Sequence, residues 1–293
     1  MTAALSRRQA LSLMAVGGLL PAMRWASAAP IPEINSHSAK PSYKLQFSGS
    51  ADELIGDILH SERGDPHMES GTPHHEWYSE RVRRRFGAWG PTPRLYPPLA
   101  ELDGRPLEWQ RERVIATAAR FVGYGYQHHH IPDWDPPHDW PWKHSCAGHN
   151  GKGFDCSNFT SFVYNQGFGI KISSGIQRQA RVEHAFEAGH SVRIAQVDLP
   201  AGYLARREAL RTGDLLYIRG REDGPITHVV IWIGAIGSAS SSLPLIMDSH
   251  GAGVSDDEGN AIPCGVQLRP FREDSWYNRC ASHAHRFFHD RHA

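Results

Sequence analysis

The chain has 293 residues, 31 basic and 31 acidic side chains, a formal charge of zero and a hydrophobic content of 40%. That length fits one large domain or two small ones, the apolar fraction is ample for a packed core, and the lack of a basic excess argues against a nucleic-acid partner. Four cysteines (Cys146, Cys156, Cys264 and Cys280) are too few for a disulfide scaffold, and no CxxC pair suggests a zinc ribbon.

Residues 1–28 read as a twin-arginine signal peptide. Ser6-Arg7-Arg8-Gln9-Ala10-Leu11 leads into a modest apolar run ending at Met23, and Ala26-Ser27-Ala28 supplies the small residues of a cleavage site. The run is too short and glycine-rich to span a bilayer. Cleavage is expected after Ala28, leaving a soluble periplasmic or extracellular protein with no membrane span. Residues 29–105 read as an N-terminal accessory region or arm, with loops around Pro91, Pro93, Pro97 and Pro98 and a basic helical run from Glu80 to Arg85.

Residues 106–293 are expected to form the main domain. Val114, Ile115, Ala118, Ala119, Phe121 and Val122 mark an amphipathic helix ended by Gly123. A loop rich in His, Trp and Pro follows over 124–150. A polar turn ending in Asp155 then runs into Phe159, Phe162 and Val163, a helical spacing that puts Cys156 in the first turn. Unpaired backbone N–H groups and the helix dipole favour a thiolate there, and the thiolate is the nucleophilic form.

Residues 176–190 are expected to be helical, with a short strand at 192–194. Further strands are expected at 214–219, 228–234, 244–248, 266–268 and 282–288, the second being dense in β-branched residues. Helices first and strands after, without βαβ alternation, predict an α+β fold with an antiparallel sheet. Of the cysteines other than Cys156, Cys264 and Cys280 form the expected disulfide.

A thiolate nucleophile needs a base, and the base needs an orienting group. His228 opens the strongest strand. Asp248 and His250 follow the third strand, two residues apart and on one face of an extended chain. Either is chemically suited to bond the far ring nitrogen of His228.

These segments resemble the NlpC-type cell-wall cysteine peptidases, a papain-like family. Phe154-Asp155-Cys156-Ser157-Asn158-Phe159 is similar to its D-C-S-G-F nucleophile motif, and Leu210 to Leu215 to its L-x-P-G-D-L turn. Thr227 to Gly234 is similar to S-H-V-G-I-Y-I-G, Ile172 to Ala180 to L-P-R-T-S-x-Q-Q, and Val122 to Tyr126 to G-x-P-Y. The resemblance implies a nucleophile helix packed on a central antiparallel sheet, Cys156 as nucleophile and His228 as base. For the third group a strict count lands on Asp248. His250 is the match to the family's usual histidine and the preferred assignment. Tyr126 falls on the tyrosine lining the family's cleft, and Asp155, Ser157 and Asn158 complete the expected substrate-binding group.

The implied substrate is a peptidoglycan stem peptide, with no cofactor and no metal. Asn158 stands where the family has glycine, adding a side chain close to the thiol. The loop from His128 to Gly153 is longer than the family's link. Its histidines (His128, His129, His130, His138, His144 and His149) invite a competing reading as a metal-binding exported protein, but three successive histidines point in different directions and no HExxH helix accompanies them. An amidase or acyltransferase on the same fold is the other alternative. The sequence leaves the oligomeric state open.

Overall fold

The computed structural model describes residues 43–60, 72–76, 79–86, 95–100, 102–126, 153–187, 190–251 and 253–289. The expected signal peptide, Cys146 and the histidines of the 128–149 loop lie outside those residues.

In chain order the elements are β1 (Tyr43–Leu45), α1 (Ala51–His60), α2 (Glu80–Phe86), α3 (Leu107–Ala119), β2 (Gly125–Tyr126), β3 (Gly153–Phe154) and α4 (Cys156–Phe168). They continue with β4 (Ile170–Lys171), α5 (Ile176–Gln179), β5 (His184–Glu187), β6 (His190–Arg193), β7 (Ala195–Asp198) and α6 (Tyr203–Ala209). The last are β8 (Leu215–Arg219), β9 (Ile226–Trp232), β10 (Gly237–Ala239), β11 (Leu245–His250), β12 (Gly265–Pro270), α7 (Trp276–Arg279) and β13 (Ala281–Arg286).

The centre is a six-stranded sheet in the order β12-β11-β9-β8-β13-β7, antiparallel throughout. Helix α4 packs on β9 and β11, with α3 against it and α1 against α3. This is the expected α+β architecture: the helix that begins at Cys156 packed on an antiparallel sheet.

The sequence dictates α4 at both ends. At its start, the Asp155 carboxylate accepts the Asn158 backbone N–H at 2.8 Å, satisfying a donor that the first turn leaves without an intrahelical partner. At its end, Gly169 takes a left-handed φ of 70°. A Cβ there would lie 2.7 Å from the Tyr96 carbonyl oxygen and the Pro98 nitrogen, so the close approach of the 95–98 segment also requires glycine. Between the caps Phe159, Phe162, Val163, Tyr164 and Phe168 are buried, each contributing roughly 1.5–3 kcal/mol of hydrophobic stabilisation. Two clusters cover the two sheet faces, one containing α4 with Tyr217, Val229 and Ile231, the other Leu216, Val230, Trp232, Phe271 and Tyr277.

The N-terminal region is tied into this core by Arg113, which is 1% exposed. Its guanidinium donates to both Asp57 carboxylate oxygens at 2.6 and 2.8 Å, to the Leu54 carbonyl at 2.5 Å and to the Gly167 carbonyl at 2.8 and 3.0 Å. One side chain thus joins α1, α3 and α4.

Two expectations are corrected. Residues 176–190 are not one helix: α5 stops at Gln179, and β5 pairs antiparallel with β4 and β6 in a separate three-stranded sheet. Cys280 is a free, buried thiol, whereas Cys264 is disulfide-bonded, so the Cys264–Cys280 pair does not form. The reason is the sheet order. Cys264 directly precedes β12 and Cys280 directly precedes β13, four inter-strand steps away. At about 4.8 Å per step the pair is about 19 Å apart, beyond disulfide reach.

Candidate active site

The site forms where the N-terminus of α4 meets β9, β11 and β12. Cys156 occupies the first helical position and is 5% exposed. Its backbone N–H has no intrahelical acceptor by virtue of that position. Asp155, beyond capping, accepts the Asn158 side-chain amide at 2.7 Å and the Ser157 hydroxyl at 3.2 Å. The Ser157 hydroxyl also reaches the Ser174 carbonyl at 2.6 Å. Asp155, Ser157 and Asn158 therefore brace the helix tip and hold the thiol in place.

His228 is the third residue of β9 rather than its first, and is 4% exposed. Its ring lies within interaction range of the Cys156 side chain. Its Nε2 lies 2.6 Å from Asp248 Oδ2, which leaves Nδ1 as the nitrogen available to the thiol. Burial opposes a charge on this ring, but the Cys156 and Asp248 charges beside it outweigh burial and raise it to about 9.

Asp248 and His250 lie within β11, not past a strand end. Cross-strand register puts Asp248 and His250 on one face with His228 but does not choose between them: continued from Met247 opposite Ile231, it sets His250 opposite His228 and Asp248 one diagonal step away. Trp232 pairs with Ile246, which pairs with Arg269 on the other side, so these three share a face. His228 and Asp248, an even number of residues away along their strands, share it too. Asp248, not the preferred His250, bonds the far nitrogen. His250 stands edge-on to His228 with ring centroids 4.9 Å apart, and its Nδ1 donates to the Gly251 carbonyl at 2.9 Å. Burial, reinforced by the positive charge on His228, holds His250 below its ordinary value and thus neutral.

Two residues absent from the sequence reading complete the cluster. Arg269 Nε donates to Asp248 Oδ1 at 2.6 Å and Tyr277 Oη donates to Asp248 Oδ2 at 2.8 Å. Both Arg269 and Asp248 are 0% exposed. Burial resists the carboxylate charge, yet the Arg269 guanidinium, followed by His228, holds Asp248 well below the usual carboxylate range. A signal for Arg269 was present: an arginine inside the apolar run Val266-Gln267-Leu268-Arg269-Pro270-Phe271 needs a buried anionic partner. Tyr277, on a short helix far along the chain, gave none.

Tyr126 is brought to the site by backbone contacts between β2 and β12. Gly123 N–H donates to Val266 O at 2.9 Å, and Val266 N–H donates to Tyr124 O at 2.8 Å. Gly265 has a φ of 99°, and a Cβ there would lie 1.9 Å from the Tyr124 carbonyl oxygen. Burial raises the Tyr126 phenol, and the nearby Cys156, Asp155 and Asp248 charges raise it further. Tyr126 thus lies within electrostatic range of the thiol. Gln179, 0% exposed, donates to the Ser157 and Ser173 carbonyls at 3.1 and 2.8 Å and anchors the segment that passes the helix tip.

Among the described residues, no group of three or more His, Cys, Asp or Glu is arranged to hold a metal ion; the histidine-rich loop that raised that reading lies outside them. Among the described residues no helix is long and apolar enough to cross a membrane. What the site assembles is a thiol, an imidazole within range of it and an ionised carboxylate behind the imidazole, the parts required for acyl transfer.

Residues 141–281 match the model of the NlpC/P60 family, the family read from the motifs around Cys156 and His228. Among solved structures, the chain is similar to an NlpC/P60 family protein from Bacillus cereus ATCC 10987, with 21% identity and a TM-score of 0.35 over 61% of this chain and 40% of that one. It is also similar to the NlpC/p60 domain of peptidoglycan hydrolase SagA, with 18% identity and a TM-score of 0.31 over 59% of this chain and 96% of that one. The chain thus covers less than half the length of the first of these two proteins. No curated protein matches it.

Proposed function

We propose, with the NlpC/P60 match of residues 141–281 as premise, that this protein is an exported cysteine peptidase. It hydrolyses amide bonds in peptidoglycan stem peptides through Cys156, His228 and Asp248. The observation that carries the proposal is the position of one ring: His228 is bonded through Nε2 to the Asp248 carboxylate and lies within interaction range of the Cys156 thiol.

In this reading the Cys156 thiolate attacks the peptide carbonyl carbon, and the oxygen takes the developing negative charge. The Cys156 backbone N–H at the α4 terminus is positioned to donate to that oxygen. Protonated His228 gives its proton to the leaving amine, and a thioester remains on Cys156. Neutral His228 then takes a proton from water, whose oxygen attacks the thioester and releases the acid. Asp248 keeps the ring oriented and balances its charge during both steps. Tyr126 forms part of the wall against which the peptide lies.

The twin-arginine pattern at Ser6-Arg7-Arg8 supports export to the compartment where peptidoglycan resides. N-terminal sequencing of the exported protein is expected to start at Ala29, and an intact Met1 terminus on protein outside the cytoplasm would count against it. The activity is tested by mass spectrometry of fragments released from defined stem peptides. The expected result is a new amine and a new carboxylate at one amide bond. An unchanged substrate, or a product joined to an added amine nucleophile in place of water, would overturn the peptidase reading.

A further inference from the structure

We propose that Arg269 and Tyr277 are positioning residues for the reaction, acting through Asp248. Together they lock its carboxylate, as the anion, in the one orientation that serves His228. This rests on the reading of Cys156, His228 and Asp248 given above.

The geometry uses both carboxylate oxygens. Oδ1 takes Arg269 Nε at 2.6 Å, and Oδ2 takes His228 Nε2 at 2.6 Å together with Tyr277 Oη at 2.8 Å. The carboxylate cannot rotate without breaking a bond on both sides. Arg269 is itself fixed, because its Nη2 donates to the Pro263 and Gly265 carbonyls, each at 3.1 Å. Tyr277 is 2% exposed, and its ring packs against those of His228 and His250.

Stability alone gives a poor reason for this cluster. A fully buried ion pair is commonly no better for folding than apolar residues of the same volume. Here the cluster also leaves Arg269 Nη1 buried without a hydrogen-bond partner, which adds a cost. Its benefit lies at the ring. With Asp248 ionised and still, an imidazolium on His228 is matched by a fixed negative charge, and the thiolate–imidazolium pair persists. The titratable and charged groups surrounding Asp248 are His228 on β9, His250 on β11, Arg269 on β12 and Tyr277 on α7, with Cys156 and Tyr126 further out. Of the cationic groups, Arg269 is the guanidinium bonded to Asp248 Oδ1. Without it, burial drives Asp248 toward the neutral acid.

The test compares Arg269→Met, Arg269→Lys and Tyr277→Phe with the parent. Two pH profiles are measured for each, turnover of stem peptides and the rate of Cys156 alkylation by iodoacetamide, followed on the Cys156 peptide by mass spectrometry. Arg269→Met is expected to lower kcat roughly tenfold to a hundredfold with KM unchanged. It is also expected to move the acid limb of both profiles upward by about one pH unit or more. Arg269→Lys should recover part of the kcat and return the limb toward the parent. Tyr277→Phe should lower kcat about threefold to tenfold, in the same direction.

Variants that melt earlier but keep the parental acid limb and parental kcat per folded molecule would overturn the proposal. Should Arg269→Met not fold, Arg269→Lys and Tyr277→Phe carry the same test. Asp248→Asn separates this inference from the reading beneath it. If Asp248→Asn turns over normally, the triad reading fails. If it is inactive while Arg269→Lys and Tyr277→Phe match the parent in both profiles, only the positioning role fails.

Discussion

Asp248 Oδ2 accepts from His228 Nε2 at 2.6 Å, and His250, two residues further along the same strand, makes no hydrogen bond to that ring. The two candidates for the third group are therefore separable by experiment. Asp248→Asn keeps the shape but loses the charge that sustains the imidazolium, and kcat is expected to fall by roughly a thousandfold or more. His250→Ala removes an edge-on ring contact and is expected to cost about tenfold at most. Steady-state kinetics on a stem peptide checks the ranking, and a larger loss for His250→Ala would refute it.

Cys156→Ala is expected to abolish turnover while the protein stays folded. The thiol is nearly buried, but the helix tip is held by the Asp155 cap and by Gln179, neither of which uses sulfur. The stability loss should be about 1 kcal/mol. Fragment release and a thermal melt of the same preparation decide it; residual parental turnover in a folded variant would remove Cys156 from the nucleophile role.

The pH dependence follows from two shifts of opposite sign. His228 is raised from 6.5 to about 9. Its contribution to stability is complete below its ordinary value and is lost as pH rises through about 9. Asp248 is lowered, so its contribution is complete above the ordinary carboxylate range and is lost as pH falls beneath it. Turnover needs the proton on His228 for the leaving amine, so the alkaline limb of kcat should fall near pH 9. The limb belongs to the coupled thiol–imidazole pair and not to one residue. A rate still rising at pH 10 would contradict this assignment.

Asp57→Ala should destabilise the whole protein, not merely loosen its N-terminal region. It leaves the Arg113 guanidinium buried with carbonyl partners only. Removing one member of such a pair costs about 3 kcal/mol, tempered because the Asp57 side chain is 34% exposed. Urea unfolding followed by far-UV circular dichroism should show a single transition with a lower midpoint. A separate early transition would mean that α1 unfolds on its own.

The helix that begins at Cys156 was legible because two independent signals agree at one place, a polar turn ending in Asp155 followed by Phe159, Phe162 and Val163 at helical spacing. The central strands were legible from β-branched density. Residues 176–190 were not, because His184-Ala185-Phe186-Glu187-Ala188 carries good helix formers and the hairpin is set by pairing with Ile170 and Lys171, a tertiary contact. The choice between Asp248 and His250 was not legible either. Side chains two apart share a strand face, and the Arg269 and Tyr277 contacts that single out Asp248 come from elements far along the chain. The disulfide expectation failed for a similar reason, since strand order across the sheet is invisible in spacing along the chain.

Gly265 sits beside disulfide-bonded Cys264 and beneath the backbone that leads to Tyr126. Empty space at one α-carbon is what lets the Tyr124 backbone close onto the sheet margin. A side chain at this position would push the Tyr124 carbonyl, and Tyr126 after it, away from β12.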